Sequence, residues 1–158
     1  MKTLRVEFKK IDKWQGEYTD SNGETQQLPR IPTRKRSTDA GYDVYAAEGG
    51  TILPGESKNF HTGIRVAVQP GWFYSVRGRS GLGFKNIQPF IGTIDATYNG
   101  ELLILLMNTG NEAHTVHKGD RIAQIIFEEQ IHAEFIEVEE FSDDYNQRGV
   151  AGFGSSGS

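Results

Sequence analysis

The sequence predicts an all-β protein, a sandwich, barrel or jelly roll, on three observations. Short apolar runs recur along the chain and mostly alternate with polar residues, the period of a half-buried strand. Turn signals separate the runs at Asn22-Gly23, Pro54-Gly55, Pro70-Gly71, Asn99-Gly100 and Lys118-Gly119-Asp120, where glycine, proline and asparagine favour reversals. No twelve-residue stretch carries a 3.6-residue apolar period. The 19 glycines in 158 residues fit a turn-rich chain, since average usage gives about 11.

In chain order, Leu4, Val6 and Phe8 share one face of LRVEF. Residues 12–27, DKWQGEYTDSNGETQQ, are polar around Asn22-Gly23 and read as a hairpin tip or a mobile excursion from the first strand. Arg34-Lys35-Arg36 reads as a solvated basic loop. Ile64, Val66 and Val68 repeat the alternation, followed by WFYSV at 72–76. A short helical turn fits after Ser80. LLILLM (102–107), IAQIIF (122–127) and AEFIEV (133–138) are the later strand candidates, and acids from Glu134 to Asp144 give the last a solvated face. No repeat or second domain is visible. One β domain over 1–147 is expected, followed by a glycine- and serine-rich tail over 148–158.

Bulk properties exclude several classes. A net charge of −4 argues against a general binder of nucleic acid or anionic membrane, so a polyanion must meet a local positive site. With no cysteine there is no disulfide, thiolate nucleophile or cysteine-bound metal. Charges interrupt MKTLRVEFKK before a signal-peptide core forms. The six-residue run LLILLM is too short to span a bilayer. A soluble cytoplasmic protein is expected.

Chemistry concentrates in segments that join glycine to charged or hydroxyl residues. RGRSGLG (77–83) offers guanidinium forks and glycine amides suited to phosphate oxygens. KGDRIAQ (118–124) adds Arg121 and Gln124. The tail adds Arg148, Gly154, Ser155 and Ser156, with Phe153 as an aromatic that a plain linker does not need. Three such segments in an acidic chain suggest a polyphosphate site assembled from distant parts. No Walker A loop, HExxH or GxSxG motif occurs, and the four histidines read as structural. Asp43, Asp95, Glu101 and Asp120 supply carboxylates for a divalent cation or for orienting water. Asp95 follows the apolar Ile94, and Tyr98 lies three residues on, across what reads as a tight hairpin. An acid and a ring there can flank a small ligand.

Taken in order, AGYDVYAAE (40–48), GRSGL (78–82), GTIDATYNGE (92–101), GDRIAQ (119–124) and RGVAGFGSSG (148–157) resemble the five motifs of the trimeric dUTP nucleotidohydrolases, the dUTPases. The resemblance implies a distorted jelly-roll subunit in a homotrimer with shared active sites. It implies Mg²⁺-dependent hydrolysis of dUTP to dUMP and pyrophosphate, which limits uracil incorporation into DNA and supplies dUMP. By match to the motifs, Asp95 orients the attacking water. Tyr98 lies against the deoxyribose and excludes a 2′-hydroxyl. Arg79, Ser80, Gly81 and Gln124 hold phosphates, while Asp43 meets Mg²⁺ through coordinated water. The backbone of Gly92, Thr93 and Ile94 reads uracil. The tail becomes an arm that closes over the nucleotide: Phe153 stacks on the base, Arg148 reaches phosphate, and Gly154, Ser155 and Ser156 bind the γ end.

The motifs depart from the family pattern at three places. Gly78 replaces a usual proline, Ala151 a common glycine and Pro89 a frequent uracil-binding asparagine, so uracil reading rests on backbone further along. A deaminase of the same fold, acting on dCTP, is the competing enzyme, and the GTIDATY turn and Phe153 favour the dUTPase. Residues 12–27 have no family counterpart and leave open a regulatory protein partner.

Overall fold

Alternation in the sequence becomes two faces in the structure, a computed structural model that describes residues 3–142. Strands β1 (Val6–Lys10), β2 (Gly16–Thr19) and β3 (Thr25–Leu28) come first, with a 3-10 turn at Asp12–Trp14. Then follow β4 (Tyr42–Tyr45), β5 (Gly50–Ile52), β6 (Ser57–His61), β7 (Ile64–Val68) and β8 (Trp72–Arg77). The single α-helical turn among the described residues, α1 (Ser80–Gly83), falls where the sequence placed it. Strands β9 (Ile87–Pro89), β10 (Thr93–Asp95), β11 (Leu103–Asn108), β12 (His114–Val116) and β13 (Arg121–Glu129) complete the order.

Neighbouring strands are mostly distant in sequence, as in a jelly roll. A four-stranded sheet runs β10-β8-β13-β4 and a three-stranded one β6-β11-β9, while β1-β7, β12-β5 and β2-β3 form pairs. Every pairing is antiparallel. The predicted inward faces hold: Ile64, Val66 and Val68 are buried on β7. On β11 the continuous run LILLM resolves into buried Ile104 and Leu106 between exposed or half-buried neighbours. Each buried Ile or Leu contributes about 1.5–3 kcal/mol. The buried polar Asn108 is satisfied, donating to the carbonyls of Ile52 (3.0 Å) and Glu112 (2.7 Å) and accepting from the Gly110 amide (3.0 Å).

Two strand expectations need correction. The first strand starts at Val6 rather than Leu4, and Phe8 remains 40% exposed. AEFIEV (133–138) forms no strand, and Ile131 (87%) and Phe135 (96%) lie open. Its apolar alternation suits a strand, but within one chain it pairs with no strand edge. An apolar groove of about 460 Å³, lined by Leu4, Val6, Phe8, Trp72 and Phe127, runs beside β1. Among the described strands β1 pairs only with β7, so its outer edge is open to addition.

Of the two readings of 12–27, the hairpin is what forms. β2 and β3 pair from Gly16↔Leu28 to Thr19↔Thr25. Asp20 closes the turn, accepting from the amides of Asn22 (2.9 Å) and Glu24 (3.0 Å). These bonds lower its pKa below the usual carboxylate value. No helix among the described residues is long and apolar enough to cross a membrane.

Candidate active site

One half of the site is assembled by ladder register. Asp43 on β4 stands opposite Gln124 on β13, which stands opposite Arg77 on β8. Strand alternation aims all three away from the core face, where Val44, Ile125 and Val76 are buried. Arg79 leaves the end of β8 and turns back, its Nε donating to Asp43 Oδ1 at 2.7 Å. Arg121 reaches the other oxygen through Nη1 at 3.3 Å, and Arg79 Nη1 donates to the Arg121 carbonyl at 3.1 Å. Segments far apart in sequence thus hold one carboxylate between two guanidinium groups. Gln124 Nε2 donates to the Gly78 carbonyl at 2.7 Å, which ties β13 to the loop carrying exposed Ser80 and Gly81. Gly41 makes room for this amide, because a Cβ there would lie 1.9 Å from Gln124 Oε1.

The second half rests on β10, which pairs with β8 through Thr93↔Ser75, Ile94↔Tyr74 and Asp95↔Phe73. Ile94 packs against the core cluster, so alternation turns Thr93 and Asp95 to the outer face. Gly92 is engaged by its carbonyl, which accepts from the Val76 amide at 2.8 Å. The turn after Asp95 is as expected, with the Tyr98 amide donating to the Asp95 carbonyl at 3.0 Å. The expected hairpin is not. β11 pairs with β6 on one edge and β9 on the other, which leaves no edge for β10. Tyr98 folds back so that its hydroxyl donates to the Glu101 carbonyl at 2.9 Å. A Cβ at Gly100 would crowd that hydroxyl and its ring, so glycine leaves the tyrosine room to lie there.

Sequence reasoning missed the support beneath this turn. Glu101 accepts from the Gly63 amide at 2.9 Å and meets His61 Nδ1 at 2.9 Å. Trp14 stacks on the His61 ring at 4.5 Å between centroids. Nothing in the local sequence links 14, 61 and 101; only the fold brings them together. Two of the motif departures are neighbours: a Cβ at Gly78 would meet Pro89 Cδ at ordinary van der Waals range, 3.5 Å.

The two halves do not meet within one chain. Asp43, Arg79, Arg121 and Gln124 gather at one margin of the four-stranded sheet, and Asp95 stands on the opposite edge strand. Arg148, Phe153, Gly154, Ser155 and Ser156 lie outside the described residues. No cluster of three or more acidic, histidine or cysteine side chains fit to hold a metal occurs among the described residues. The donor set at Asp43, one carboxylate beside phosphate-seeking arginines, fits a Mg²⁺ ion held mainly by phosphate oxygens and water.

Fold and site together define an all-β protein with an arginine-and-carboxylate anion site separated from a turn that presents an acid and a ring. The dUTPase family model matches residues 29–157. The deoxyuridine 5′-triphosphate nucleotidohydrolase of Nautilia profundicola is 42% identical over 130 residues, covering 80% of this chain and 90% of its own. The human mitochondrial deoxyuridine 5′-triphosphate nucleotidohydrolase is 42% identical over 127 residues, covering 80% of this chain and 50% of its own. The dUTPase of Staphylococcus bacteriophage 80alpha, solved with dUpNHpp, superposes with a TM-score of 0.81 at 28% identity, covering 99% of this chain and 100% of that one. The chain belongs to the dUTPase family and is a dUTP diphosphatase.

Proposed function

We propose that this enzyme cleaves dUTP between the α- and β-phosphates in sites shared between copies of a homotrimer, with Asp95 orienting the attacking water. The observation that carries this reading is the separation of Asp95 from the Asp43–Arg79–Arg121 cluster on opposite edges of one sheet. A second copy supplies what each half lacks. The exposed segment around Phe135 and the open apolar groove beside β1 support assembly, since the first has the alternation of a strand and the second an unpaired strand edge.

In this arrangement Arg79 and Gln124 hold the phosphates beside Ser80 and Gly81, and charge-assisted guanidinium bonds fix their direction. Asp43 would hold Mg²⁺ through coordinated water, and the bound ion would supply charge neutralisation to the phosphates. Asp95, on an exposed edge strand, orients water towards the α-phosphorus and accepts its proton. Tyr98, held by its bond to the Glu101 carbonyl, packs against the deoxyribose and leaves no room for a 2′-hydroxyl. Backbone of Gly92, Thr93 and Ile94 reads uracil. The 148–158 arm of the 1–147 domain closes the site with Arg148, Phe153, Gly154, Ser155 and Ser156. The cellular role is cytoplasmic: it lowers dUTP, limits uracil in DNA and supplies dUMP.

Pyrophosphate release from dUTP, UTP, dTTP and dCTP, with Mg²⁺ and with chelator, tests the reading. Metal-dependent release from dUTP alone is expected. Ammonia from dCTP, or equal turnover of all four, would overturn it.

A further inference from the structure

We propose that the β2–β3 hairpin is a positioning element for the phosphate half of the site, acting through Tyr18 on the loop that precedes Arg121. The inference rests on the phosphate and Mg²⁺ roles given above to Asp43 and Arg79. The hairpin itself lies ahead of residue 29, where the family match begins.

Arg121 needs external support. The β13–β4 ladder is irregular between Arg121 and Ala123, so regular pairing does not set the position of the guanidinium that grips Asp43. The side chain is also half exposed, at 51%, and fixing a long exposed arginine costs rotamer entropy. Besides its pairing with Tyr45, what holds its backbone is the loop before it. There the His117 amide donates to Asp120 Oδ2 at 2.7 Å, the Gly119 amide to the Ala46 carbonyl at 2.8 Å, and the Ala46 amide to the Asp120 carbonyl at 2.9 Å.

Tyr18 lies directly on this loop. Gly119 has φ +81, and a Cβ built there would lie 2.0 Å from Tyr18 Cζ. The ring therefore lies against the Gly119 backbone, whose positive φ favours glycine. Tyr18 is fixed in turn. Its hydroxyl accepts from Arg30 Nη1 at 3.0 Å, and the Arg30 guanidinium lies 3.9 Å from the centroid of the Tyr45 ring. Tyr45 is the ladder partner of Arg121, and its hydroxyl is hydrogen-bonded to Thr33 Oγ1. The contacts close a circuit from Tyr18 through Arg30 and Tyr45 to Arg121 and back through Gly119. The hairpin thus presses the loop from one side while its own anchor is the strand on the other.

Groups behind a ligating residue typically govern affinity by 10–100-fold. Tyr18→Ala is expected to weaken calorimetric binding of a non-hydrolysable imido analogue of dUTP in Mg²⁺, and to raise the Mg²⁺ concentration for half-maximal activity and the KM for dUTP, each by about tenfold, with kcat changed less than threefold. Tyr18→Phe keeps the ring on Gly119 and is expected to restore both constants to within about threefold of the parent. Ile64→Val, a core change remote from the loop, controls for lost stability; it should lower the unfolding midpoint and leave both constants in place. An unchanged Mg²⁺ requirement and KM in Tyr18→Ala, or kcat falling in step with KM, would overturn the inference. Asp43→Asn separates the two levels. If Asp43→Asn raises the Mg²⁺ requirement and Tyr18→Ala does not, the hairpin inference alone fails; if neither does, the phosphate-half reading fails and takes the inference with it.

Discussion

Asp95 and Asp43 face the same side of one four-stranded sheet from its two opposite edges. Their strands are three spacings apart, about 14 Å, and their register partners on β8, Phe73 and Arg77, differ by four residues, about 13 Å along the strand. No single triphosphate is served by both acids of one chain at hydrogen-bond range. Two disabled variants should therefore repair each other. Asp95→Asn and Arg79→Ala, each nearly inactive alone, should regain activity when co-refolded at equal amounts, with roughly a quarter of sites intact by random assortment. Mixtures no more active than their parents would place each site within one chain.

Asp95→Asn alone separates binding from chemistry. The amide keeps the shape on β10 but cannot take a proton from water. Turnover should fall by about 10²–10⁴, while calorimetry with a non-hydrolysable imido analogue of dUTP shows affinity within threefold of the parent, a ratio of about 0.65 kcal/mol. Near-normal turnover would remove Asp95 from the reaction.

Removing 148–158 should abolish most turnover and leave assembly intact. Ordering a glycine-rich arm costs roughly 1–2 kcal/mol per fixed residue, and charged phosphate contacts must offset that cost. Light scattering tests the second half of the expectation, since a monomer would mean that the tail holds the copies together.

Tyr98→Ala should relax rejection of UTP. The ring is held by its hydroxyl on the Glu101 carbonyl beside Gly100, and in the proposed site it would leave no room for a 2′-hydroxyl. The ratio of kcat/KM for dUTP to that for UTP should fall by at least about tenfold, the value of one mispaired or crowded contact. An unchanged ratio would place sugar selection elsewhere.

His114 on β12 gives a pH prediction for stability. Burial, aided by the charge of Lys85, holds its pKa below the usual 6.5. Between the folded value and 6.5 the unfolded chain binds more protons than the folded one, so stability rises with pH across that window and falls as pH drops below 6.5. The urea midpoint of the parent should therefore decline from pH 7.5 to pH 5.5 more steeply than that of His114→Asn. Parallel declines would assign the effect to other groups.

The all-β class and the strands with clean alternation, such as Ile64–Val68, were legible because burial on one face writes a period of two into the residues. Short strands such as β5 and β12 have three residues each, too few to show any period. AEFIEV was misread for the opposite reason: its pattern is a strand's, but it pairs with no strand edge among the described residues. The acids and arginines of the site stood out through their glycine-rich settings. Shared sites entered only through the motif resemblance, and which residues fall in which half did not show, because register across β10, β8, β13 and β4 depends on partners far away in sequence. The hairpin's grip on Gly119 was equally hidden, since a tyrosine at 18 and a glycine at 119 carry no mark of each other.

The open segment around Ile131 and Phe135 reaches beyond geometry to dosage. If copies complete each other's sites as proposed, a lone chain, with this apolar strip uncovered, would be inactive and prone to aggregation. Working enzyme then accumulates through encounters between copies, and at low expression output climbs more steeply than chain number. A modest change in synthesis rate would act as a threshold on dUTP clearance, set by how quickly newly made chains find one another.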